Sequence, residues 1–167
     1  MTSSTVSARD VSTYIVSKLA TGRHLEAIKL QKLLYFCQGW SYGASDSPLF
    51  NEDFEAWTYG PVAPEIYHLH AGKTGVGADF NFGGDPEKLD QDQKKLVDAV
   101  ISAYGGINTF KLVDMTHQRG TPWHHARYPN GNEDEAPVYS PPIPKESLRE
   151  YFLQEAKRVS AGGDFIT

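Results

Sequence analysis

Between Ile28 and Tyr42 nine of fifteen positions are apolar, too many for one stripe of an amphipathic helix. The spacing predicts a helix buried on most sides, at the centre of the fold. On its N-terminal side Val11, Tyr14, Ile15 and Leu19 recur with helical period. They follow Ser7-Ala8-Arg9-Asp10, which has the spacing of a capping box with Asp where Glu is preferred, and Thr21-Gly22 supplies a stop. An amphipathic outer helix is expected there.

After Gly43 the pattern changes. Pro48, the run Phe54 to Trp57 and Tyr59-Gly60-Pro61 read as short extended segments joined by turns. Pro64 suits a first helical position, with Ile66, Tyr67 and Leu69 in a short helix ended by Gly72. Five glycines fall between residues 72 and 86, so backbone entropy predicts a mobile surface loop. Leu89, Leu96, Val97, Val100, Ile101 and Tyr104 mark another helix, stopped by Gly105-Gly106. Asn108 can cap a helix running to about His117, and Thr121-Pro122 starts a short turn through Arg127. Five prolines between Tyr128 and Pro144 forbid a long helix and favour turns and polyproline stretches. Leu148, Tyr151, Phe152, Ala156 and Val159 fall on one face of a last helix. The expected fold is therefore mainly α: a compact single-domain helical bundle around the central hydrophobic helix, with a small antiparallel β element near Phe54 to Trp57.

Composition narrows the function classes. The chain has 167 residues, 16 Lys+Arg against 21 Asp+Glu and a net charge of −5. That length suits one domain, placed at residues 7–159 with flexible ends at 1–6 and 160–167. The acidic balance argues against a general nucleic-acid-coating protein and makes a basic partner the easier expectation. Cys37 is the single cysteine, which excludes an intrachain disulfide and a four-thiolate metal site and fits a reducing cytoplasm. Met1 to Val6 lacks a basic-then-apolar leader, and no apolar run approaches ~20 residues, so neither secretion nor a membrane span is expected.

Candidate chemistry is thin. His68-x-His70 and His124-His125 cluster as ligands sometimes do, but side chains at i and i+2 of a helix diverge. His117 could still meet His124 or His125 through the intervening turn, with Asp114 one helical turn earlier. Cys37 shares a face with Leu30, Leu33 and Leu34, where a thiol acts as a small hydrophobe rather than a nucleophile. No phosphate-cradling glycine motif follows a strand, so no cofactor is expected. Lys29 and Lys32 read as a solvated edge of the central helix, and the acidic runs Asp85 to Asp92 and Glu133-Asp134-Glu135 as solvated surface. The distinctive feature is aromatic and proline density in Phe54 to Val62 and in Thr121-Pro122-Trp123, which suits a core or a protein interface equally.

Lys29-Leu30-Gln31-Lys32-Leu33-Leu34-Tyr35, Pro48-Leu49-Phe50, Phe54-Glu55-Ala56-Trp57 and Tyr59-Gly60-Pro61-Val62 occur in that order, followed by Leu112 to His117 and Thr121-Pro122-Trp123. Together these blocks resemble the Panacea domain of SocA-like antitoxins, also known as phage-associated GepA-like proteins. Ile143 to Phe152 resembles the family's closing helix, so the resemblance spans roughly residues 7–159. The glycine-rich loop before residue 86 and the proline-rich acidic stretch from Tyr128 to Ile143 are departures from its pattern. The resemblance implies a cytoplasmic, non-enzymatic antitoxin that binds a cognate toxin encoded beside it, either blocking it or handing it to a protease as an adaptor. A metal- or cysteine-dependent enzyme and a DNA-binding regulator are the alternatives. Against the regulator stand the net charge and the lack of a recognition helix rich in Arg, Asn or Gln. The partner surface is expected at Trp57, Tyr59, Pro61 and Tyr67, with His117 and Trp123 brought alongside. No metal is expected in it, and neither nucleic acid nor membrane among the partners.

Overall fold

The computed structural model describes residues 6–162. Within them run the helices α1 (Ala8–Leu19), α2 (Ala27–Ser45), α3 (Pro64–His70), α4 (Gln91–Tyr104), α5 (Thr109–Thr116), α6 (Pro122–Arg127) and α7 (Lys145–Ser160). The strands are β1 (Leu25–Glu26), β2 (Phe54–Trp57), β3 (Gly60–Val62), β4 (Gly75–Val76) and β5 (Pro142–Ile143). Most of the expected ends are the observed ones, because each is written in local chemistry. Ser7 accepts from the Asp10 amide and donates its own amide to the Asp10 carboxylate, closing the capping box of α1. Asn108 and Thr121 cap α5 and α6, and Pro64 and Pro122 open α3 and α6.

Helix α2 is the axis of the molecule, packed by α1, α4, α5, α7 and β3. Leu30, Leu33, Leu34 and Cys37 are each fully buried along it. Gly39 and Gly43 let α7 come close: a Cβ at Gly39 would lie 2.2 Å from the Phe152 ring. Phe152 meets Tyr35, Trp40 and Tyr151 edge-on, and Phe36 stacks on Tyr104 with ring centres 4.0 Å apart. Gln38, equally buried, accepts from the Leu49 and Phe50 amides and donates to the Phe50 carbonyl, binding the loop after α2 to the helix.

Two short antiparallel sheets complete the fold, one of order β3-β2-β5 and one pairing β1 with β4. The second corrects the expectation of a mobile glycine-rich loop. Leu25 pairs with Val76, and both Val76 and Phe82 are buried to 1% exposure. Arg9 donates to the Phe82 carbonyl, and Gly84 lies so near α1 that a Cβ there would fall 2.3 Å from the Arg9 carbonyl oxygen. Glycine here permits close backbone approach, and two apolar residues suffice to tether the segment. At the ends, Val6 is buried and Ser160 closes α7. The remainder of the expected flexible ends, 1–5 and 163–167, lies outside the described residues.

Candidate functional site

The blocks that stand apart in the sequence meet at the β2–β3 hairpin. Thr58 and Tyr59 form its turn, and Gly60, at φ +107°, closes it in a region that favours glycine. Side chains from two helices, α2 and α6, occupy the backbone groups the hairpin turns outward. Lys32 of α2 donates to the Pro61 carbonyl at 3.0 Å, and Gln31 accepts from the Ala63 amide at 2.9 Å. Arg127 of α6 donates to the Ala56 carbonyl at 2.8 Å, and the Trp123 indole donates to the Trp57 carbonyl at 2.7 Å. Gln31 also gives its Nε2–H to His70 Nε2 at 3.0 Å, which makes His70 an acceptor there and fixes the tautomer with the proton on Nδ1. Burial lowers the His70 pKa in agreement with that neutral ring.

Lys32 corrects its expected place on a solvated edge. It is 1% exposed, and burial lowers its pKa to about 7. Lysine is read from sequence as a surface residue, but its long stem packs here and its amine reaches a carbonyl that no strand neighbour satisfies. His117 lies in the field of Lys32; burial first, and then that neighbouring cation, lower its pKa to about 4. Its Nε2 is buried without a hydrogen-bond partner among the described residues. The Gly60 backbone closes over this group: a Cβ there would stand 2.7 Å from Lys32 Cε and 2.9 Å from Thr116 Oγ1. Gly60→Ala should therefore lower stability by about 1–3 kcal/mol, from the positive φ and the clash together, read as a lower urea midpoint at unchanged m-value.

Of the expected partner-surface residues, Tyr59 is the most open, at 59% exposure, projecting from the turn. Trp57 and Tyr67 are half-buried and meet edge-on with ring centres 4.7 Å apart. They form one wall of a cleft of about 590 Å³ between α2, the hairpin and α3, completed by Ile28, Val62 and Tyr59. Pro61 and Trp123 are buried beneath it, and His117 stacks on Trp123 at 3.7 Å, so these three support the hairpin from within. Ile28, Lys73 and Ser140, which also line the cleft, carry no sequence signal that would have singled them out.

The histidine pairs do not converge. His70 turns inward to Gln31 while His68 is exposed; His124 pairs with Glu133 at 2.7 Å while His125 is exposed. That contact is the main reason the Glu133 pKa is lowered. Among the described residues no group of three or more His, Cys, Asp or Glu side chains is placed to hold a metal ion. Cys37 is fully buried, and burial pushes its thiol pKa far up, the reverse of what a thiolate nucleophile needs. No described helix is long and apolar enough to cross a membrane.

Residues 30–124 match the family described as antitoxin SocA-like, Panacea domain. The antitoxin SocA of Caulobacter vibrioides (strain NA1000 / CB15N) is 30% identical to this chain over 130 residues, 71% of the chain and 69% of that protein. No solved structure matches. The matched stretch contains the hairpin itself with Gln31, Lys32, Tyr67, His70, His117 and Trp123, and leaves out Ile28, Arg127 and Ser140 together with α1 and α7.

Proposed function

The chain belongs to the SocA-like, Panacea-domain family of antitoxins, and from that premise we propose that it neutralises a cognate protein toxin by direct, non-enzymatic binding through the hairpin face. The toxin is encoded beside it, and the encounter takes place in the cytoplasm. Trp57, Tyr59 and Tyr67 make the contact, while Pro61, His117 and Trp123 hold them in place. One observation carries this: the residues that distinguish the sequence converge on a hairpin whose backbone is bonded from every side, yet Tyr59 at its tip is left 59% exposed. An aromatic side chain on a rigid support loses little entropy when a partner covers it, which is the profile of an interface anchor.

Co-expression of the adjacent toxin with Tyr59→Ala is the direct test. Loss of growth rescue and of co-purification at an unchanged melting temperature is expected, since Tyr59 contributes little to the core. Tyr67→Ala should weaken rescue less and lower the melting temperature slightly, because its ring also packs on Trp57. Full rescue by both folded variants would remove this face from the interaction. The toxin level in rescued cells separates the two modes of neutralisation: persistence means blocking, and disappearance means delivery to a protease.

A further inference from the structure

The cleft beside the hairpin differs in charge from four other depressions on the described surface. The protein carries a net −5, and four other depressions on the described surface each hold a carboxylate, among them Asp114, Glu65, Glu150 and Glu135. The hairpin cleft holds none. Its ionisable lining is Lys32, Lys73, His70 and the phenols of Tyr59 and Tyr67. Neither lysine forms an ion pair among the described residues. Glu55, the acid next to Trp57, is engaged by the Trp57 indole N–H at 2.8 Å. Lys73 is exposed at the mouth, whereas the Lys32 amine is held on the Pro61 carbonyl, so the ammonium presented to a ligand is that of Lys73. The remaining walls are apolar, from Ile28, Val62, Trp57, Tyr59 and Tyr67, and the volume of about 590 Å³ is that of a side-chain-binding cleft.

Resting on the toxin-binding function above, we propose that this cleft takes a short acidic, apolar segment of the toxin, with an aliphatic side chain between Trp57, Tyr59 and Tyr67 and an adjoining Asp or Glu carboxylate at Lys73. The whole-chain charge points to a basic partner; the local charge reverses that choice at the cleft walled by Trp57, Tyr59 and Tyr67. The apolar walls hold the adjoining aliphatic side chain, so the carboxylate meets the exposed Lys73 ammonium already positioned for it.

The test is a titration of the ¹⁵N-labelled full chain with three capped peptides, Ac-Leu-Asp-Leu-NH₂, its Asn twin Ac-Leu-Asn-Leu-NH₂, and Ac-Gly-Asp-Gly-NH₂. Shifts of the Trp57 indole N–H and of the amides of Lys73 and Thr74 are expected with the first peptide, at an affinity about tenfold above that of the Asn twin. The glycine peptide should not saturate. Lys73→Gln, a surface change that leaves the melting temperature alone, should make the Asp and Asn peptides equal. Equal affinities on the unaltered chain, shifts centred outside the cleft, or no shifts up to ~10 mM peptide would each overturn the proposal. If the peptides fail while Tyr59→Ala still abolishes rescue, the toxin-docking face stands and only the chemistry assigned to the cleft falls.

Discussion

Lys32→Met should produce a stability curve that crosses that of the unaltered protein as pH rises. The Lys32 amine is lowered from its ordinary 10.5 to about 7 in the folded chain, so between those two values the unfolded chain binds the proton and the folded chain does not. Stability then rises with pH across that window, and the burden of burying the charge is fully present below pH 7. Converted at 1.36 kcal/mol per pH unit, the whole effect is on the order of 5 kcal/mol. Methionine fills the same channel without a charge but leaves the Pro61 carbonyl without its donor, a cost of about 1–3 kcal/mol at every pH. The variant should therefore be the more stable protein near pH 6 and the less stable one near pH 10. Urea unfolding of both proteins from pH 6 to 10 gives the difference, from which the titrating groups that do not feel Lys32 cancel. Parallel curves would show that Lys32 keeps an ordinary pKa and that its amine reaches water.

The second large effect lies at the contact of α2 with α7. Phe152→Ala should cost about 3–5 kcal/mol, since the ring is 2% exposed and three aromatic neighbours would border the cavity. Gly39→Ala acts from the other side, pushing a methyl group into the same ring at 2.2 Å. It should cost about 1–3 kcal/mol despite alanine's better helix propensity. The two sites share one space, so their effects should not add. Gly39→Ala combined with Phe152→Leu should be more stable than the sum of the single changes by at least 0.5 kcal/mol, roughly the threshold of measurable coupling. Thermal and urea unfolding of the four proteins in the cycle would show it; strict additivity would mean that α7 shifts as a rigid body to make room.

Where one helix starts or stops on its own residues, the chain is readable: Ser7 with Asp10, Asn108, Thr121-Pro122 and the nine apolar positions of Ile28 to Tyr42 all behave as their local chemistry dictates. The β2–β3 hairpin is readable for the same reason, from Tyr59-Gly60-Pro61. Strands β1, β4 and β5 are two residues each, too short for any alternation to register, and exist through partners 49 to 89 positions away. The candidate site divides likewise. Its aromatic members stand out in the chain, but which of them are covered depends on α6 arriving beneath the hairpin; Trp123 is buried and Tyr59 is not. The interior place of Lys32 is invisible locally, because nothing in a helix reports that an unpaired carbonyl of a distant strand will lie opposite one of its lysines. The cleft draws on Ile28, Lys73 and Ser140, and no short window contains all three.

The bonds from Gln31 and Lys32 to the outer side of β3 also bear on how the small sheet can grow. Pro61 has no N–H, its carbonyl is held by Lys32, and the next outward group, the Ala63 amide, is held by Gln31. On the opposite edge, the Ala56 amide bonds to the Pro141 carbonyl and Phe54 pairs with Ile143, so the residue facing away is Pro142, again without an N–H. Neither margin can template an additional strand. Fibril-like self-association and partner capture by strand addition are closed to this sheet, and whatever recognises the hairpin must read its side chains rather than its backbone.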